Sequence, residues 1–131
     1  MKVLALDYGA ARTGVAVSDP TGTVARPVGV VERAGSEEGI RRLADLARRE
    51  QAEAIVVGLP VTLRGELGEQ AQETERFVEL LRGAVDVPVE TFDERFTTDL
   101  AESSPTRAEE HAVAAAHLLS SYLTWKTAHH P

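Results

Sequence analysis

The sequence predicts an α/β fold, a five-stranded mixed sheet with helices on both faces, in one domain spanning residues 1–131. Two observations predict it: three short apolar segments come first, and helical and strand patterns then alternate. Strands joined by short turns form an antiparallel meander, whereas helices between strands imply right-handed crossovers and parallel strands. With the fourth strand beside the first, the expected strand order is 3-2-1-4-5.

The first three strands come from the amino-terminal part of the chain. Residues 3–6 (VLAL) form an apolar run typical of a buried strand, which ends on Asp7. A glycine-containing turn over 8–14 leads to a returning strand over 15–17. The third strand is expected within 23–31, where Arg26-Pro27 is an irregularity that suits the edge of a sheet.

The later elements follow from helical and strand periodicity. They are predicted as a helix after the N-cap Ser36, a strand over 54–57, a helix over 69–82, a strand over 87–92, one helical turn over 98–103 and a last helix. Thr106 and Glu109 match a capping box at the start of the last helix. Residues 126–131 are expected to be a frayed tail.

Polar residues follow the predicted parallel strands where each strand ends. Asp7, Gly58 and Glu94 would share one edge of the sheet, the carboxyl edge, where open α/β sheets bind ligands. Burying an unpaired carboxylate is costly, so Asp7 calls for a metal, another cation or hydrogen bonds from its own turn. Because aspartate after a strand often only caps its turn, these alternatives stay open on spacing alone.

Three motifs occur in an order that matches a known family. Asp7-Tyr8-Gly9 with Arg12 and Gly14, then Val57-Gly58-Leu59-Pro60, then Asp93-Glu94-Arg95-Phe96-Thr97-Thr98, resemble the YqgF/RuvX family of Holliday-junction resolvases, also described as pre-16S rRNA processing nucleases. The resemblance covers almost the whole chain. It implies a ribonuclease-H-like fold, and the order of elements agrees with that fold.

The resemblance also implies a metal-dependent nuclease with carboxylate ligands. Asp7 would be the first ligand of Mg²⁺ or Mn²⁺ and Glu94 the second. His111 stands where the family usually has an aspartate in the last helix, so it would be the third ligand and a catalytic residue. Neutral imidazole adds no negative charge, which favours Mn²⁺ or weaker metal binding. Glu110 is the rival for this position.

Arginines dominate the basic residues, because 12 of the 14 are arginine and only two are lysine. Arginine binds phosphate with two donors, and the resemblance implies that Arg12, Arg95 and Arg64 bind or orient nucleic acid. For each, a surface ion pair is an equally good interpretation. Asp93 is an auxiliary candidate, although neighbouring strand residues point to opposite faces.

Composition limits the partners and the compartment. The net charge of −7 opposes non-specific attraction to nucleic acid, so a nuclease would need its arginines gathered on one face. There is no cysteine, no apolar segment near 20 residues and no signal-peptide pattern at Met1-Lys2, so we expect a cytoplasmic protein without membrane contact. A homodimer would suit symmetric cutting of branched DNA.

Two other functions compete with the nuclease. An Asp-x-Gly hairpin also occurs in ATP-dependent phosphotransferases of the actin-like superfold, but these close two such domains around nucleotide and this chain supplies one. A nuclease fold that has lost its chemistry and only binds nucleic acid or assists ribosome assembly would fit the net charge and His111. Retention of Asp7 and Glu94 argues against that binding module.

Overall fold

The computed structural model describes residues 1–60, 68–96 and 107–129 of the chain. The five strands are β1 (Val3–Asp7), β2 (Arg12–Ser18), β3 (Ala25–Glu32), β4 (Ala54–Leu59) and β5 (Val89–Asp93). The three α-helices are α1 (Glu37–Arg49), α2 (Glu69–Arg82) and α3 (Arg107–His129), and a 3₁₀ turn spans Glu94–Phe96. The predicted turn over 98–103 and the capping residue Thr106 lie outside the described residues.

The strands form one sheet in the order β3-β2-β1-β4-β5, which confirms the predicted topology. β2 pairs antiparallel with both β1 and β3, whereas β4 pairs parallel with β1 and with β5. The pairing of β2 with β3 shifts register between Val15 and Ala16, opposite the proline-containing segment at the sheet edge. The carboxyl ends of β1, β4 and β5 therefore lie together.

Alternation along the strands gives the sheet two buried faces. Leu4, Leu6, Ile55 and Val57 belong to a core with the buried side chains of α1 and α2. Val3, Ala5 and Val56 belong to a second core with α3. Side chains alternate along β1, so Asp7 lies on the same face as Val3 and Ala5, and its carboxylate is directed toward α3. Tyr8 packs on the other face, with α1 and α2.

The helices begin and end close to the predicted positions. The Ser36 side chain accepts a hydrogen bond from the Gly39 amide, so it caps α1 as expected, and α2 spans Glu69–Arg82 as predicted. The expected frayed tail is wrong for residues 126–129, because α3 continues to His129. Packing of Tyr122 and Leu123 against the sheet extends the helix beyond the point that the polar tail suggested. No helix among the described residues is long and apolar enough to cross a membrane.

Candidate active site

Two carboxyl groups from distant parts of the sequence meet at the carboxyl edge of the sheet. Asp7 is the last residue of β1, and Glu94 begins the 3₁₀ turn directly after β5. A hydrogen bond joins the two side chains, and both are partly buried. The topology thus brings Asp7 and Glu94 together, as the sequence predicted from the shared strand ends.

The two carboxyl groups share a proton because their surroundings disfavour two negative charges. Burial raises the pKa of Asp7, although the hydrogen bond from Glu94 and the nearby His111 oppose this rise. Burial, the charge of Asp7 and the hydrogen bond to Asp7 together raise the pKa of Glu94 to about 7. Glu94 thus keeps its proton to a higher pH than an ordinary glutamate and donates it to Asp7, and a bound cation would remove the need for that proton.

Gly58 makes room for this acid pair at the end of β4. A Cβ atom on Gly58 would lie 2.7 Å from Glu94 Oε1 and 3.1 Å from Leu118 Cδ2. Such contacts are too close, so any larger residue would displace the Glu94 carboxyl or the α3 side chain. The sequence placed Gly58 at this edge, and the structure gives the steric reason for glycine.

Gly14 lets the backbone of α3 approach β2 next to Asp7. Gly14 pairs with Asp7 across β1 and β2, and a Cβ on it would overlap the backbone carbonyl of His111. The backbone of helix α3 therefore occupies the space that a side chain at this position would fill. Glycine within a strand signals such close backbone approach, although not what approaches.

His111 is the residue of α3 that interacts with the acid pair. It is partly exposed, and its electrostatic interaction with Asp7 lowers the pKa of that carboxyl group. Glu110, the rival, is exposed and is not among the groups that shift the pKa of Asp7 or Glu94. The geometry therefore favours His111 over Glu110 as the group of α3 that faces a ligand at Asp7.

Asp93 and Arg95 bind each other next to the acid pair. The Arg95 guanidinium donates to both carboxylate oxygens of Asp93 at 2.6–3.1 Å, and the Arg95 amide donates to Oδ1 at 2.9 Å. These bonds lower the pKa of Asp93 and raise that of Arg95. Of the two interpretations of Arg95, the structure thus shows the surface ion pair. Arg64 lies outside the described residues.

Arg12 begins β2, next to the turn that follows Asp7, and is partly exposed. It forms no ion pair with any residue in the described part of the chain. A free guanidinium two register positions beyond Asp7 and Gly14 can reach an anion held at the acid pair.

The described residues hold no preformed cluster of three His, Cys, Asp or Glu side chains in metal-binding geometry. The donor set nevertheless fits a divalent cation at the carboxylates, because two partly buried acids share one proton and hard oxygen ligands suit Mg²⁺ or Mn²⁺. Asp7 and Glu94 would hold the ion, and His111 would need a side-chain movement to join them.

Comparison with known sequences identifies the family. The sequence profile of the RuvX family, described as Holliday junction resolvase, matches residues 1–125. The chain belongs to the RuvX family. It is 38% identical to a protein of Roseiflexus sp. (strain RS-1) over 93% of each chain, and 36% identical to one of Syntrophomonas wolfei over 94% of each chain. Both relatives carry the name of a proposed pre-16S rRNA nuclease.

Solved structures with low sequence identity share the fold. RuvC of T. thermophilus, in complex with a Holliday junction substrate, superposes with a TM-score of 0.62 at 20% identity over 97% of each chain. The fowlpox virus Holliday junction resolvase superposes with a TM-score of 0.53 at 11% identity, over 95% of this chain and 99% of that one. The predicted ribonuclease-H-like fold is confirmed, and the RuvX chain is a hydrolase of a nuclease family that acts on phosphodiester bonds.

Proposed function

We propose that this RuvX chain is a divalent-metal-dependent nuclease that cuts structured nucleic acid, with the 5′ end of a ribosomal RNA precursor as its first candidate substrate. The names of the relatives at 36–38% identity support the RNA substrate. Branched DNA is the second candidate because the family is described as Holliday junction resolvase. RNA processing would place the protein in the cytoplasm, and junction cutting would call for a homodimer.

The observation that carries the proposal is the meeting of the Asp7 and Glu94 carboxyl groups at the carboxyl edge of the sheet. Burial and the repulsion between the two carboxylates raise the pKa of Glu94 to about 7, and a bound cation would offset this repulsion. Bound Mg²⁺ or Mn²⁺ would supply positive charge to the phosphate and a more acidic water. Asp7 would remain ionised as the fixed ligand, and Glu94 would release its proton when it binds the ion.

The other residues near the acid pair position the substrate and move protons. Arg12 would bind a phosphate oxygen from the β2 side of the site. His111, which interacts with Asp7 from α3, is suitably placed to accept a proton from the attacking water or to complete the ion's ligands. Asp93 would hold Arg95 and add negative charge beside Glu94, as its effect on the Glu94 pKa shows.

The test is cleavage of three labelled substrates: a 5′-extended ribosomal RNA fragment, a four-way DNA junction and single-stranded DNA. Each is incubated with Mn²⁺, Mg²⁺ or EDTA, and Asp7→Asn and His111→Ala run beside the parent. Metal-dependent cutting that Asp7→Asn abolishes supports the nuclease, and the substrate that is cut fastest shows whether it acts on RNA, branched DNA or single-stranded DNA. Loss of cutting in His111→Ala assigns His111 to the site.

Three outcomes would contradict the proposal. Cutting that survives Asp7→Asn would come from a contaminant. Binding of the substrates without cutting in either metal would support the binding module, and weak Mn²⁺ binding by calorimetry would agree with it. Tight ATP binding would revive the phosphotransferase.

A further inference from the structure

Arg33 has an unusual backbone conformation at the end of β3. Its φ angle is +49°, in the left-handed region that glycine adopts freely and other residues avoid. Gln51 is the other non-glycine residue with positive φ among the described residues, but it follows the C-cap of α1, where left-handed residues are common. Arg33 precedes a helix, so this explanation does not apply to it.

The surroundings of Arg33 fix its backbone and leave its side chain outside. Its amide donates to the Ala11 carbonyl at 3.0 Å, and its own carbonyl accepts from the Ser36 amide at 2.9 Å and the Ser36 hydroxyl at 2.7 Å. Gly39 lets the first turn of α1 close over this carbonyl, since a Cβ there would overlap it. The Arg33 residue itself is exposed. A strained position that holds a long cation rather than glycine suggests that the side chain has a use.

Arg33 lies next to Arg12, on the side of the acid pair formed by β2 and β3. Arg12 pairs in register with Glu32, and the hydrogen bond between Ala11 and Arg33 continues this ladder by one step. Along the strand direction, at a rise of about 3.3 Å per residue, Arg12 lies about 7 Å and Arg33 about 10 Å beyond Asp7 and Gly14. Because neighbouring strands are about 4.8 Å apart, Arg33, which continues β3, is also displaced sideways from β1 by about 10 Å, so it lies farther from the acid pair than Arg12.

Neither arginine forms an ion pair with an acidic residue that the structure describes, although the chain has a surplus of acids. Five other arginines form ion pairs: Arg26, Arg42, Arg48, Arg82 and Arg95. Arg12, Arg33, Arg41, Arg49 and Arg76 form none with any described residue, and of these Arg12 and Arg33 are neighbours on the ladder of β2 and β3, with Glu32 between them. With seven more acidic than basic residues, two unpaired arginines beside an active site leave positive charge for an external anion.

We propose that Arg33 binds a backbone phosphate of the nucleic acid a few nucleotides from the cut, with Arg12 binding nearer to the cut. The proposal rests on the proposed function for the position of the cut, but the phosphate contact itself concerns binding. Phosphodiester recognition is common to RNA and DNA, so both substrates should use Arg33. The hydrogen-bonded backbone sets the position of the Arg33 Cα before the substrate arrives, so binding does not have to order the main chain.

The experiment measures binding in EDTA, without cleavage, by fluorescence anisotropy of the labelled RNA fragment and of the four-way DNA junction. Salt is varied between about 50 and 200 mM, because one lost phosphate contact reduces the slope of log K against log salt by about 0.7 to 0.9. Arg33→Ala should lower this slope and weaken binding about threefold to tenfold. Arg33→Lys should retain most of the slope.

Two further variants keep the test independent of folding. Arg49→Ala is the matched control, since Arg49 is exposed, has no ion pair among the described residues and ends α1, at the opposite edge of the sheet. It should leave the slope unchanged. Arg33→Gly should melt at the same temperature as the parent or higher, because glycine relieves the positive φ, and should still lose the slope.

The results distinguish the phosphate contact of Arg33 from the proposed nuclease activity. Equal slopes for Arg33→Ala and Arg49→Ala would overturn the phosphate contact even if the parent cuts. If Arg33→Ala reduces the slope but the parent protein does not cut either substrate, the result would support the phosphate contact and count against the nuclease. A reduction on RNA alone or on the junction alone would restrict the contact to that substrate.

Discussion

Asp7 and Asp19 both follow a buried strand, yet the structure gives them opposite electrostatic surroundings. Asp19, after β2, accepts hydrogen bonds from the Thr21 hydroxyl and from the amides of Thr21, Thr23 and Val24, and these lower its pKa. Asp7, the last residue of β1, is partly buried beside a second acid, and its pKa is raised. An aspartate that its turn satisfies is structural, whereas one that lies partly buried beside a second acid is a candidate ligand for a cation.

The two ends of the sheet repeat this difference. At the end opposite the carboxyl edge, Lys2 and Arg26 bind Glu50, the Lys2 amide donates to Glu53, and the terminal ammonium donates to the Pro20 carbonyl. At the carboxyl edge, Asp7 and Glu94 have no basic ion-pair partner among the described residues, and Arg12 and Arg33 have no acidic one. The hydrogen-bonded acid pair and the two neighbouring arginines make the carboxyl edge the candidate site for metal and phosphate.

The largest expected effect comes from exchanging the two aspartates for asparagine, one at a time. Asp7→Asn should lower the rate of metal-dependent cleavage at least about a hundredfold, because it removes the charge that holds the cation. Asp19→Asn should leave the rate within about threefold, since its amide oxygen can still accept from the turn. Cleavage assays at saturating Mn²⁺ measure both. Equal losses would mean that the difference between these turns has no functional meaning.

Gly14→Ala should be the next most damaging change. Its Cβ would overlap the His111 carbonyl, so α3 must shift, at about 1–3 kcal/mol or more of unfolding free energy. Gly83→Ala is the control, because its nearest contact would be 3.6 Å and its φ is −74°. Urea denaturation reports stability, and the cleavage rate reports the site. A Gly14→Ala protein with the stability and rate of the parent would show that α3 does not depend on this close approach.

The shared proton predicts how pH acts on the metal-free protein. Since the folded-state pKa of Glu94 is about 7 and its ordinary value is 4.5, the folded protein binds more protons than the unfolded chain between these values. The stability that this group contributes is therefore present at low pH and falls as pH rises through the window. Melting temperatures in EDTA from pH 4.5 to 8 should decline less in Glu94→Gln.

Mn²⁺ should reverse this decline, because it takes the place of the proton. Its stabilising effect should grow from pH 5 to pH 8 in the parent and stay small in Glu94→Gln. If the metal-induced shift of the melting temperature does not depend on pH, the metal does not bind at the acid pair.

The smallest effect distinguishes the paired arginine from the unpaired one. Arg95→Ala should change the cleavage rate by about threefold or less, since Asp93 already binds its guanidinium. Arg12→Ala should reduce it about tenfold through weaker binding of phosphate. Rates below and above saturation assign each loss to KM or kcat. A larger loss for Arg95→Ala would mean that substrate displaces the Asp93 ion pair.

The sequence by itself determined the order of elements, the topology of the sheet and the two strand ends that meet as Asp7 and Glu94. Periodicity and the rule for crossovers suffice for this, because the carboxyl ends of parallel strands share an edge. Local patterns also placed the N-cap Ser36 and the bounds of α2, since both depend on nearby residues.

Only the tertiary structure decided which charges are satisfied. Asp7 and Asp19 look alike in sequence, as do Arg12 and Arg95, and their difference depends on partners that folding brings near or keeps away. The backbone of Arg33 and the approach of α3 to Gly14 likewise depend on packing between distant segments. Electrostatic and steric interactions act over a few ångströms in space, so one-dimensional spacing could not reveal them.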